Sequence, residues 1–376
     1  MIINLKSQND LSGMYLVYEG STNLEKKGNY GISHLMEHLL CKTFFHLLED
    51  FDRDGIDWNA YTSSNEIVFY FTGLESKLDK YRDKILESVS SFNITKEQFE
   101  NERNIVLSEY EDCFNDQSGS HSLNLSRKLF NDYDPIGLRE DLESLKFMDC
   151  IKFFELQYLK PSKIINVSKT KALKNLDISF SDRKIDKKIK YGNHKVPFEL
   201  GNSFKDKTSI IMLSPVIDEN NAEVHFLNSM LSLGLKSPLY TEVREKRGLV
   251  YYIQCFQSRH NIQGITNIAT QTSNKNVAGV IDSVETVLSK PDLFLNKERF
   301  DLVKDYYSVR REKEEILRHG SVNQYILPKG WSVNEILDKV KLKDIKDVYE
   351  KYYNFDKFYI SNDKKEFIST KKELTK

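Results

Sequence analysis

One order of elements occurs twice along this chain of 376 residues, and it narrows the possible folds more than any single residue type does. In the first half, a strand near Met14–Tyr18 precedes a helix from Ile32 to about Phe51, whose apolar residues recur every three or four positions. Trp58 to Gly73, rich in aromatic and β-branched residues, reads as one long strand or a strand pair. Helices are expected over about 75–92, 96–114, 120–131 and 147–159, with Ile164–Val167 as a closing strand. In the second half a strand at Thr208–Leu213 leads to helices from Asn220 to about Leu233 and from Leu239 to Lys246. Strands at Val250–Gln257 and Gly264–Thr272 follow, then helices near 275–289, 296–317 and 343–353, and a strand at Lys357–Ile360. A duplicated α+β unit of ordinary domain size satisfies this order. The strongly charged stretch from about 169 to 197 reads as the connection, so the expected domains are 1–180 and 181–376.

The charges nearly cancel, with 55 Lys+Arg against 56 Asp+Glu. No net field draws the chain to nucleic acid, and the basic run within the connection reads as a solvated face. No apolar run approaches the ~20 residues that span a bilayer. Met1–Lys6 reads as a strand without a signal peptide's layout, so the expectation is a cytoplasmic protein with no membrane and no nucleic-acid partner. Cys41, Cys113, Cys150 and Cys255 are scattered with no CxxC pair, which argues against a disulfide framework or a zinc finger.

The chemistry is concentrated in His34-Leu35-Met36-Glu37-His38. On a helix, residues four apart share a face, so His34 and His38 can offer imidazole nitrogens to one ion. Glu37 flanks that face and can sit beside a metal without ligating it. This is the inverted order of the HExxH motif. A chance match is expected on the order of once in a hundred chains of this histidine content. The bland reading is an amphipathic core helix with two half-buried histidines. A catalytic zinc needs a third protein ligand and an open position. The best source is the stretch from Glu102 to Glu109, two carboxylates seven apart on one helix face, with Ile105 and Val106 as an apolar flank. Glu109 as ligand and Glu102 orienting a histidine make a coherent site. The competing reading makes both surface carboxylates, like their neighbours Glu97, Glu100 and Glu111.

His34–His38 with Glu102…Glu109 some seventy residues later resembles the pitrilysin/insulinase family of zinc metallopeptidases. Tyr18–Ser33 is similar to that family's strand, turn and helix entry, and Asn59-Ala60-Tyr61-Thr62-Ser63 to the start of its substrate-pairing edge strand. Gly234 to Tyr251 is similar to its C-terminal signature, with Arg244 and Tyr251 at the arginine and tyrosine positions. The bland reading of Arg244–Arg247 is a charged helix end capped by Gly248, and the two are compatible. The chain departs from the family's Phe-x-Gly-Thr after the metal helix, reading Cys41-Lys42-Thr43-Phe44 instead. Cys41 falls on the metal side by spacing, with packing favoured over metal contact. The match is weakest over the last sixty residues.

The resemblance implies two structurally similar domains, each a mostly antiparallel sheet packed with helices, together forming half of a clamshell. It implies one Zn2+ per chain on His34, His38 and Glu109, with Glu102 orienting a histidine. Glu37 would act as general base, Arg244 and Tyr251 would hold the substrate and oxyanion, and Asn59, Ala60 and Tyr61 would pair with substrate backbone. The implied activity is endopeptidase cleavage of short or unfolded polypeptides in a dimer chamber. Two chains would complete each other's sites as a homodimer, or one would pair with a degenerate sister chain. A non-catalytic structural or peptide-binding member is the alternative.

Overall fold

The duplicated order is present in the computed structural model, which describes residues 1–90, 92–115, 123, 134–174, 179–182, 207–215, 217, 222–260, 263–317, 322–326, 338–355, 357–361 and 366–370. The described residues fall into two compact units. The first gathers Met1–Phe114 with the described parts of Asp132–Lys188 and Lys313–Leu327; the second holds those of Asn115–Asn131, Ile189–Glu312 and Pro328–Lys376. Each contains one five-stranded sheet.

In the first unit the strands are β1 (Ile2–Lys6), β2 (Leu11–Glu19), β3 (Asp57–Thr62), β4 (Glu66–Leu74) and β5 (Lys163–Ser168). Their order across the sheet is β1-β5-β2-β4-β3, and only the β1–β5 pair is parallel. In the second, β6 (Lys207–Leu213), β7 (Val250–His260), β8 (Gln263–Ser273), β9 (Lys357–Ser361) and β10 (Glu366–Thr370) are wholly antiparallel in the order β10-β9-β6-β8-β7. Four consecutive strands correspond, β5-β2-β4-β3 to β9-β6-β8-β7, and the fifth lies beside β5 or β9. The outermost strand is supplied from the chain's start in one unit and from near its end in the other.

The stretch expected as one helix to Phe51 is two, α1 (Ile32–Thr43) and α2 (Leu48–Asp54). Thr43 Oγ1 donates to Leu40 O (2.6 Å), and Phe44 buries its ring completely among Trp58, Phe69 and Phe71. Burial of that ring outweighs continued helical pitch. The stretch 75–92 also breaks, into α3 (Glu75–Leu78) and α4 (Arg82–Val89). The break lets Arg82 turn inward, fully buried, to donate to Asp79 (2.7 Å), Asn166 (2.5 Å) and Ser12. The Trp58–Gly73 stretch is the β3–β4 hairpin, closed by Ser63 N donating to Glu66 O (2.8 Å). The helix expected over 120–131 lies outside the described residues, apart from 123, as does most of the charged connection.

The two sheet faces differ. One packs on α1, α5 (Lys96–Asn115) and α6 (Phe147–Gln157), with Met14, Leu16, Phe69 and Phe71 at its centre. On the other, Tyr15, Val17, Val68, Ile165 and Val167 are covered by Val322 and Ile326. At the hairpin end of that second face lies Glu66, 1% exposed, with one carboxylate oxygen accepting from Ser63 Oγ (2.5 Å). Its Oε2 has no hydrogen-bond partner among the described residues. Burial pushes this carboxyl up to about 7, with Glu19 adding to the rise and Ser63 and Lys163 opposing it. A folded-state value above the unfolded one means that the native state binds the extra proton. Stability from Glu66 is therefore full below about pH 4.5 and is lost as pH rises through 7. Glu66→Gln is expected to be more stable than wild type at pH 8, by on the order of 1–3 kcal/mol, with little difference at pH 4. Denaturant midpoints at the two pH values check this; a Gln variant weaker than wild type at pH 8 contradicts it.

Candidate metal centre

The start of α1 is held by polar contacts that the chain makes before and well after it. Glu25 Oε1 accepts from Ser33 N (2.8 Å) and its Oε2 from Gly31 N (3.0 Å), so a carboxylate satisfies donors at the positive end of the helix. Asp141 Oδ2 accepts from Gly28 N (3.1 Å) and Tyr30 N (3.0 Å). Gly31 has φ 96° and Gly137 φ 72°, and their backbones touch: a Cβ on Gly137 would lie 2.4 Å from Gly31 Cα. Helix α1 is thus pinned against residues more than a hundred positions away.

From this helix, His34 Nε2 and His38 Nε2 each approach Glu109 Oε2 to 3.6 Å, and the three donor atoms lie within 4.8 Å of one another. A separation of 3.6 Å is long for a hydrogen bond. It is close to the roughly 3.4 Å edge expected between ligands about 2.1 Å from a tetrahedral zinc. Burial, and secondarily His38, holds the His34 imidazole down to about 4, leaving it neutral with a lone pair at pH 7. His34 Nδ1 is buried without a hydrogen-bond partner among the described residues, so Nε2 is the nitrogen that faces a shared acceptor. Two imidazole nitrogens and one carboxylate, the Glu109 side chain being 44% exposed, fit the donor set of a zinc ion. Among the described residues this is the sole group of three or more His, Cys, Asp or Glu placed to hold a metal.

The other predicted groups around the helix fall into place by physical position. Glu37 is buried, and Thr62 Oγ1 on β3 donates to its Oε2 (2.5 Å). Burial raises the Glu37 carboxyl above its ordinary value, and the Thr62 hydrogen bond opposes the rise. Glu102 is 4% exposed, with Oε2 3.2 Å from His38 Nδ1. The surface reading therefore fails for Glu102, whereas Glu100 and Glu111 do pair outward, with Arg103 and Arg139. Of the expected apolar flank, Val106 is buried but Ile105 is 43% exposed. The Cys41 thiol packs beside the core, and burial with the Glu37 and Glu102 charges pushes it up to about 12. It stays protonated and is not in the ligand group.

Among the described residues β3 pairs with β4 alone, and its other edge has no paired strand. Since Ser63 and Glu66 exchange a ladder bond, alternation turns the main-chain groups of Thr62, Ala60 and Trp58 to the free edge. Ala60 N donates locally, to Asn59 Oδ1 (2.8 Å). The side chains of Trp58, Ala60 and Thr62 face the α1 side, while Asn59 and Tyr61 are exposed. By the same alternation the main-chain groups of Asn59 and Tyr61 face β4, so of Asn59, Ala60 and Tyr61 only Ala60 turns its backbone to the free edge.

Arg244 and Tyr251 belong to the second unit. Arg244 lies in a π-helical turn, Thr241–Lys246, closed by Gly248 N donating to Arg244 O (2.8 Å). Its guanidinium sits over two rings, 4.6 Å from Tyr240 and 5.2 Å from Tyr251, in cation–π contact. Tyr251 is 82% exposed.

Residues 4–134 match the family model described as insulinase (peptidase family M16), and residues 172–307 match the model described as peptidase M16 inactive domain. The chain belongs to the M16 family. A Rickettsia felis protein named as an uncharacterised zinc protease is 23% identical, covering 92% of this chain and 90% of that one. A Bacillus subtilis protein of similar name is 23% identical over 85% of this chain and 84% of its own length. The solved structure of a protease from Helicobacter pylori superposes with a TM-score of 0.78 at 17% identity, covering 96% and 95% of the two chains. An M16 inactive-domain structure from Pseudomonas fluorescens gives 0.75 at 18% identity, covering 96% and 94%. These neighbours establish the two-domain M16 fold. The metal-ligand group lies in the part matching the insulinase model.

Three residues in contact with these groups were not singled out from sequence: Lys42, Thr62 and Tyr240. Each had a spacing signal. Lys42 follows His38 by four on one helix face, Tyr240 precedes Arg244 by four, and Thr62 follows Ala60 by two on the inward face of a strand.

Proposed function

We propose that this chain is a zinc-dependent endopeptidase acting on short or unfolded polypeptides. The observation that carries the reading is the convergence of His34 Nε2, His38 Nε2 and Glu109 Oε2 beside the buried, hydrogen-bonded carboxylate of Glu37. The M16 family and the names of its relatives as zinc proteases support it.

His34, His38 and Glu109 would hold one zinc ion per chain, and that ion would supply Lewis-acid polarisation of a water and of the scissile carbonyl. Glu102 holds His38 through Nδ1. Glu37 takes the proton from the attacking water and gives it to the leaving amine. Thr62 fixes Oε2 of that carboxylate, which leaves Oε1 for the transfer. The substrate lies extended along the free edge of β3, where Trp58, Ala60 and Thr62 offer main-chain donors and acceptors that tolerate varied side chains. To bond a substrate carbonyl, Ala60 N first leaves Asn59 Oδ1. Tyr251 donates to the oxyanion and Arg244 fixes a peptide carbonyl. Two copies complete each other's sites, Arg244 and Tyr251 of one serving the metal domain, residues 1–180, of the other; a heterodimer with a degenerate sister chain is the variant of this assembly.

Peptide cleavage mapped by mass spectrometry, with and without chelator, tests the reading. The expected result is about one zinc per chain and cleavage that stops on chelation and returns with zinc. Cleavage undiminished in metal-free protein contradicts it. Mixing His38→Ala with Arg244→Ala tests the assembly: activity returns on subunit exchange if sites are shared, and stays absent if each chain completes its own.

A further inference from the structure

We infer that Lys42 is a positioning residue for the metal centre, acting through Glu102 on His38; this rests on the zinc reading above. Lys42 Nζ lies 2.6 Å from Glu102 Oε1, while the other carboxylate oxygen of Glu102 faces His38 Nδ1 at 3.2 Å. Lys42 and His38 are one turn apart on α1, and Glu102 comes from α5. One carboxylate is therefore grasped at both oxygens by two side chains of a single helix face.

The geometry decides what each contact does. A carboxylate held at one oxygen alone can rotate about its terminal torsion, whose well is broad. The short charge-assisted bond from Lys42 removes that freedom and aims Oε2 at His38. His38 then presents Nδ1 to Glu102 and Nε2 to the site, which is the orientation metal ligation needs. Lys42 also compensates Glu102. That side chain is 5% exposed, and a buried carboxylate without a cation is strongly disfavoured. The ammonium is itself shielded: it lies 4.1 Å from the centroid of the Phe45 ring, which is 51% exposed and so covers it from the solvent side. An ordinary surface lysine has neither the buried partner nor the aromatic cover.

The test is zinc affinity, measured on the full chain by competition with a chromophoric chelator, which reads the site without needing turnover. Lys42→Met is expected to weaken zinc binding about 10- to 100-fold, the range for loss of a group supporting a metal ligand. Lys42→Arg, which keeps a cation and donors, should recover most of that loss. Glu102→Gln supplies the internal control. In that background the buried charge is gone, so Lys42→Met should fold and should weaken binding by less than threefold further. Wild-type affinity in Lys42→Met would overturn the proposal. So would its full effect persisting with Gln at 102, because the lysine would then act by another route. Wild type that binds no zinc would instead overturn the metal reading on which this rests.

Discussion

Glu37→Gln is expected to keep zinc at about one per chain while peptide cleavage falls by about 10²- to 10⁴-fold, the contribution typical of a positioned general base. The substitution is chosen for what it leaves alone. Gln has the same shape, and its amide oxygen can still accept from Thr62 Oγ1, so the β3–α1 contact survives. The ligand atoms on His34, His38 and Glu109 are untouched. What disappears is the ability to take and return a proton. A variant as active as wild type would remove Glu37 from the mechanism. A variant that loses its zinc would recast Glu37 as a ligand. If neither protein cleaves any peptide while both hold zinc, the non-catalytic peptide-binding reading gains.

His34→Ala is expected to lower zinc affinity by roughly 10²- to 10³-fold. Structural zinc sites with four ligands bind with about 10–16 kcal/mol, so one ligand is worth about 2.5–4 kcal/mol. The fold of the metal-free chain should be little changed. His34 carries a buried Nδ1 with no partner among the described residues, so Ala removes an unsatisfied polar atom along with apolar contacts. The two effects on stability oppose one another. Zinc content after gel filtration and chelator competition read the first effect, and denaturant unfolding of the metal-free forms reads the second. Wild-type zinc affinity in the variant would exclude His34 as a ligand.

The duplicated order, the hairpin alternatives and the ligand spacing were legible because each rests on periodicity. His34 and His38 share a face by helical pitch, and Glu102 and Glu109 by two turns of it. The breaks at Phe44 and at Asp79–Tyr81 were not legible. They arise from where Phe44 and Arg82 find burial, and burial partners such as Phe69, Phe71 and Asn166 lie far along the chain. Thr62 and Lys42 escaped for a similar reason. Their spacing was visible, but their importance comes from which carboxylate each meets, Glu37 for one and Glu102 for the other. The clasp of Gly31 against Gly137 is a backbone approach between distant positions, which no local pattern records.

Among the described residues the outer edge of β3 has no paired strand, and an unpaired edge is a template for extended chain. The amide of Ala60 is not left idle, because the carboxamide of Asn59 holds it at 2.8 Å. A neutral bond of that kind is worth about 0.5–1.5 kcal/mol. It works as a soft stopper, strong enough to discourage single stray contacts and too weak to refuse a strand that brings several bonds at once. If substrate pairs with this edge as proposed, admission would be set by how much extended backbone it offers, which would favour chains that have already lost their fold.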